Sequence, residues 1–124
     1  MRSELVETKY DIGETKERIR DLLAVRKPSA LVCGNDVIAQ GAVYACQSMA
    51  IRIPEDLSVI GIGDFQGSAH MEPGLTTWRL PARRIGHAAA DYICTMSSFG
   101  ADRKVHRTKI GSQIVERGSV CRKA

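Results

Sequence analysis

Two short apolar segments, separated by a stretch with helical spacing, constrain this chain more than any other feature. Residues 29–33 (SALVC) and 58–62 (SVIGI) are almost wholly apolar and bounded by turn residues, which suits strands buried on both faces of a sheet. Between them, Asn35 and Asp36 are helix-capping types, and Val37, Ile38, Gly41, Ala42, Ala45 and Met49 form one apolar stripe. RIPEDL then turns the chain into the second apolar segment. A strand, a helix and a parallel strand form a βαβ unit, whose hand and layering are nearly fixed.

The rest of the chain extends this pattern. ELVETKY, residues 4–10, reads as a short strand. From Asp11 the spacing predicts a helix that buries Ile12, Thr15, Ile19, Leu22 and Leu23 and ends before Pro28. Residues 63–74 are irregular, and residues 75–78 (LTTW) read as a strand. After Pro81, a continuous stripe of Ile85, Ala88, Ala89, Tyr92, Ile93 and Met96 predicts a helix that needs an apolar partner. SSFGADRKVH reads as a loop, and TKIGSQIVERGS as a final strand or two. The expected class is α/β, with a mainly parallel sheet and flanking helices.

Composition excludes several functions. The 124 residues, 44% hydrophobic and 26% charged, are those of one globular domain rather than a disordered segment. The net charge of +4 is concentrated near the end, in Arg103, Lys104, Arg107, Lys109, Arg117, Arg122 and Lys123, without a basic helix that interleaves base-reading residues. The four cysteines form no Cys-x-x-Cys pair and have no histidine at ligand spacing, so no metal or cofactor is expected; they read as reduced thiols of a cytoplasmic protein. The first residues carry no apolar signal core, and no apolar run approaches membrane-spanning length. GIGDFQG places its third glycine one position too late for a dinucleotide fingerprint, and no Walker loop or nucleophile–base pair stands out, so an enzyme is not expected.

In an open parallel sheet, ligands bind beyond the carboxyl ends of the strands. Gly34, Asn35 and Asp36 occupy that edge after the first apolar strand, and Gly63 and Asp64 after the second. An amide and carboxylates are suited to gripping a polyhydroxylated molecule. The same residues are also good caps for a helix and a turn, and local sequence leaves both readings open.

PSALVCGNDVIAQGA, RIPEDLSVIGIGD, EPGLTTWRLPARRIGHAAADYI and IVERGS occur in this order and at intervals that resemble the C-terminal part of the regulatory core in the LacI/GalR (lactose-repressor) family, from about Tyr10 to Ser119. The resemblance implies a periplasmic-binding-protein-like (type I) lobe, incomplete here. Residues about 1–79 would form the C-terminal lobe, about 81–100 a helix docking on an N-terminal lobe, and about 108–119 a returning strand. It also implies that the DNA-binding headpiece and most of the first lobe lie outside these residues, so DNA would be reached only through that headpiece.

Carried over by position, the ligand-binding set is Asn35, Asp36, Gly63, Asp64 and Tyr10, with Asp36 also holding the loop and capping the helix. Gly63 stands where many members carry a polar residue that contacts sugar hydroxyls, which points away from a plain hexose and toward a sugar acid. Leu80 and Ala82 lie where the chain crosses between lobes, and Trp78 would shield the cleft or join the core. The implied subunit contact comprises His70, Met71, Glu72 and Pro73 with Gln40 and Tyr44 of the preceding helix. The expected partners are a small sugar or sugar-acid effector and a homodimer or larger assembly, with no membrane and no cofactor. The alternatives are a sugar-binding protein of a transport system and a nucleotide-dependent α/β enzyme.

Overall fold

The computed structural model describes residues 3–98 and 107–122. Its elements are α1 (Ile12–Val25), β1 (Ala30–Val32), α2 (Asp36–Ser48), β2 (Ser58–Gly63), a 3-10 turn (Ser68–His70), β3 (Thr76–Arg79), α3 (Ala82–Ser98) and β4 (Gln113–Val115). The four strands form one sheet in the order β1-β2-β3-β4. The first two pairings are parallel, and β4 returns antiparallel to β3. The expected mainly parallel α/β sheet is therefore present.

Helix α1 starts where its sequence dictates. The Asp11 carboxylate accepts from the Glu14 N–H at 2.7 Å and so satisfies one of the first-turn donors. Thr15, Ile19 and Leu23 are buried, as their spacing predicts. They pack along α2, where Gly41 permits the approach: a Cβ on Gly41 would lie 2.8 Å from Thr15 Cβ and 2.9 Å from the Ile12 carbonyl oxygen.

The core gathers Ile19, Leu23, Cys33, Ala39, Ala42, Val43, Cys46, Leu57, Val59 and Leu75. Burying a leucine such as Leu57 or Leu75 stabilises by about 2 kcal/mol relative to leaving it in water. Leu31 pairs with Val59, and Gly61 with Thr77, so these residues face the two helices.

Alternation sends Val32, Ile60, Ile62, Trp78 and Ile114 to the opposite face. The expectation of strands buried on both faces is corrected here: Val32 is 79% exposed, and Trp78 and Ile114 are exposed as well. Helices α1 and α2 pack together against the other face, and among the described residues no helix covers this one.

ELVETKY is not a strand; residues 3–9 form no ladder. Its charges tie it to α1 instead, Glu4 facing Arg26 at 3.8 Å and Lys9 pairing with Glu14 at 3.1 Å. A groove of about 590 Å3 remains between this segment and β1, lined by Leu5, Val6, Leu22, Leu31, Val32 and Ile38 among others.

Helix α3 follows β3 after only Leu80 and Pro81. Ile85, Tyr92 and Ile93 are exposed, Ile93 to 66%, so the expected apolar stripe exists without cover among the described residues. Most of the expected loop after it (99–106) lies outside the described residues.

The end of the chain closes the sheet. Ser119 is buried between the beginnings of β2 and β3. Its hydroxyl donates to the Val59 carbonyl at 2.6 Å and accepts from the Thr76 N–H at 2.8 Å, and its own carbonyl accepts from the Val59 N–H at 2.8 Å.

Candidate functional site: the carboxyl edge of the sheet

Strands β1, β2 and β3 are parallel, so their carboxyl ends share one edge, and α2 begins there. Asn35, Asp36, Gly63 and Asp64 meet at this edge, as sequence reasoning placed them. Tyr10 is 65% exposed and directly precedes the Asp11 cap, at the start of the helix that leads back to β1.

Asn35 caps α2: its Oδ1 accepts from the Ile38 N–H at 2.9 Å. The residue is half-buried, and its amide nitrogen remains on the solvent side of the cap.

Asp36 is the structural centre of the edge and is only 3% exposed. Its Oδ1 accepts from the Thr77 hydroxyl at 2.6 Å, and its Oδ2 from the Ser68 hydroxyl and, at 3.0 Å, from the Phe65 N–H. Gly61 makes room for it, because a Cβ there would collide with the carboxylate. These bonds tie α2 to the loop after β2 and to β3, as expected of a residue that holds the loop. Its carboxylate faces inward, and three donors occupy its oxygens.

Gly63 has φ +133°, and a Cβ there would meet the Phe65 ring at 2.5 Å. Both the backbone and the ring therefore favour glycine at this position. Asp64 follows with φ +56°, an uncommon conformation that aspartate tolerates better than most residues.

The Asp64 carboxylate sits between two guanidinium groups, accepting from Arg117 Nη2 at 2.7 Å and from Arg79 Nε at 2.5 Å. Partial burial pushes its carboxyl up; hydrogen bonds from Arg117 and Arg79, with the charges of both, outweigh this and hold it below the usual carboxylate range. Arg117 also donates to the Leu75 carbonyl at 2.7 Å, which fixes it under the loop. Sequence reasoning passed over both arginines. Gly63 opposite Arg79 in a parallel pair was the only local signal, and it requires the strand register.

Trp78 lies on the open sheet face with its indole donating to Ser112 Oγ at 2.6 Å, and Leu80 is exposed beyond it. The residues expected at a subunit contact adjoin one another. Gln40 and Tyr44 share a stripe of α2 and are joined at 2.9 Å, while Gln47, next on that stripe, donates to the Glu72 carbonyl at 3.0 Å. His70 and Glu72 are exposed and Pro73 is half-buried, whereas Met71 packs partly into the core rather than standing free.

A mainly parallel sheet with two helices on one face, a polar carboxyl edge and an antiparallel returning strand defines an open α/β lobe. The chain belongs to the family described as "Periplasmic binding protein-like domain", which it matches over residues 2–120, and it corresponds to part of a LacI/GalR effector-binding core.

Among curated relatives, it is 34% identical over 92 residues to the HTH-type transcriptional repressor PurR of Aliivibrio fischeri, covering 72% of this chain and 27% of that protein. It is 30% identical over 118 residues to PurR of Erwinia tasmaniensis, covering 94% of this chain and 34% of that one. The chain thus spans about a third of the length of these relatives. A LacI family transcriptional regulator from Arthrobacter sp. FB24, solved in complex with lactose, superposes with a TM-score of 0.85 at 26% identity, covering 94% of this chain and 44% of that one. These relatives are regulators rather than enzymes. Among the described residues, no helix is long and apolar enough to cross a membrane.

Proposed function

We propose that this chain is the effector-sensing and subunit-contacting part of a LacI-type transcriptional repressor. Its carboxyl edge forms one wall of a cleft for a small sugar or sugar acid, and α3 docks on the complementary lobe. The surface of Gln40, Tyr44 and Gln47 with the loop at residues 70–73 meets a second subunit. DNA is bound through a headpiece outside these residues, and effector binding shifts the regulator between two lobe arrangements.

The observation that carries this reading is the convergence of Asn35, Gly63 and Asp64 on one strand edge, above a buried Asp36 that ties the helix, the loop and β3 together. The exposed apolar stripe of α3 supports its proposed role as the docking helix, within about 81–100, beside a lobe of about 1–79.

The test uses the full-length regulator. Asn35→Ala should abolish the response to effector while operator binding is kept, weakening the ligand by about 1–3 kcal/mol. Unchanged ligand affinity by calorimetry would reduce Asn35 to a helix cap. A thermal-shift panel of sugars, sugar acids, purines and dinucleotides separates the classes, because stabilisation by dinucleotides alone would favour a nucleotide-dependent enzyme.

A further inference from the structure

The groove between residues 3–9 and β1 has the dimensions and the chemistry of one β-strand. β1 is an edge strand whose ladder partner is β2 alone, among the described residues. Its bonds to β2 use the Ser29 carbonyl and the Cys33 N–H. By alternation, the N–H and C=O groups of Ala30 and Val32 point away from β2, on the side of the groove that both residues line. Open backbone groups on an edge strand are a template for a further strand.

The opposite wall has the same character. Residues 3–9 belong to no ladder, yet Val6 and Thr8 are half-buried while Leu5 and Glu7 are exposed, the two-residue alternation of a strand. The groove is apolar in both layers, with Leu22, Leu31 and Ile38 on the helix side and Val32 on the open face. In a sheet, each residue takes about 3.3 Å along the strand, about 4.8 Å between neighbours and about 10 Å between layers, or about 160 Å3. The groove of about 590 Å3 therefore holds about four residues of extended chain.

A compact apolar molecule would fill this volume and leave the edge groups of Ala30 and Val32 unpaired. In a second copy, β1 stands behind its own residues 3–9, so two such edges do not meet. An extended peptide satisfies both the backbone and the apolar walls. The chain spans about a third of the length of its curated relatives, so a regulator of their length has sequence outside these residues to supply one.

We infer that this groove is a strand-acceptor site. It takes one extended, β-branched apolar segment of about four residues, paired with Ala30 and Val32 on one side and lying along residues 3–9 on the other. The source of the segment rests on the reading of this chain as part of a longer regulator; the acceptor site does not rest on the effector edge.

The experiment adds the end-blocked peptide Lys-Val-Ile-Val-Val-Lys to the 15N-labelled chain and follows amide hydrogen exchange. The control is the same peptide N-methylated at its four apolar residues, which keeps the side chains and removes the N–H donors. The first peptide should slow exchange at Ala30 and Val32 saturably, by about tenfold or more. Leu31 and Cys33, whose amides already bond to β2, should change little. The N-methylated peptide should protect neither Ala30 nor Val32.

Equal protection by the two peptides would leave an apolar groove without strand pairing and overturn the inference. So would the absence of saturable protection by the first. Protection of Ala30 and Val32 that rises with protein concentration, with no peptide added, would give the edge to a second copy and overturn it as well. Each of these outcomes leaves the effector reading, tested at Asn35, where it stands.

Discussion

The Thr77 hydroxyl donates to Asp36 Oδ1 at 2.6 Å, joining the first residue of α2 to β3 across 41 positions of sequence. This bond lies under the candidate ligand edge and is buried from water. Replacing Asp36 by alanine would strand the Thr77 and Ser68 hydroxyls and the Phe65 N–H without an acceptor. Asp36→Ala should therefore destabilise the chain by about 3 kcal/mol in urea unfolding. Thr77→Val should cost about 1–2 kcal/mol, since the carboxylate keeps its other donors. A loss below the Thr77→Val value for Asp36→Ala would show that the loop holds itself.

Gly41 marks the closest approach of α1 to α2, with Thr15 Cβ and the Ile12 carbonyl against its open side. In an exposed helix, Gly→Ala would stabilise by close to 1 kcal/mol. Here the added methyl must push α1 away, so Gly41→Ala should destabilise by about 1–3 kcal/mol. Thermal unfolding followed by circular dichroism decides the sign.

Asp64 predicts an acid limb. Its folded-state pKa lies below its unfolded value, so the folded state holds the proton less tightly. The stabilising contribution is fully present above the ordinary aspartate value of about 4, and it is lost as pH falls through the lower folded value. Stability measured between neutral pH and pH 2 should fall more steeply below about 4 in the parent chain than in Asp64→Asn. Parallel acid limbs for the two proteins would remove Asp64 from the acid response.

The cysteines should divide into two classes. Burial, with smaller contributions from the neighbouring Cys46 and Asp36, pushes the Cys33 thiol up to about 12, and burial pushes Cys46 up to about 11. Cys94 and Cys121 are exposed. Iodoacetamide at pH 8 should modify Cys94 and Cys121 in the native chain and reach Cys33 and Cys46 only after unfolding. Native labelling of Cys33, read by peptide mass spectrometry, would contradict its burial in the core.

Local signals in the sequence were sufficient where the deciding contact is local. Asp11 caps a helix three residues ahead, and the 3.6-residue spacing of Thr15, Ile19 and Leu23 is the buried face itself. The apolar run around Val32 read as doubly buried because composition reports how apolar a strand is, not how many layers flank it. ELVETKY has strand-like composition, yet it lies beside α1, with Glu4 near Arg26 and Lys9 paired with Glu14. At the candidate site, Asn35, Gly63 and Asp64 were legible from their place after apolar strands. The neutralisation of Asp64 was not, because Arg117 is 53 positions away and reaches it only through the return of the chain beside β3.

That return sets the order of events during synthesis. Ser119 supplies hydrogen bonds to the first residues of β2 and β3, with Val59 lying 60 positions earlier in the chain. A nascent chain that has made β1 to β3 still lacks this clasp and the Arg117 partner of Asp64. Non-local contacts of this separation form late, after the entropy of closing a long loop has been overcome. Native closure of the sheet therefore waits until the residues around Ser119 have left the ribosomal tunnel, and the starts of β2 and β3 stay unclasped until then.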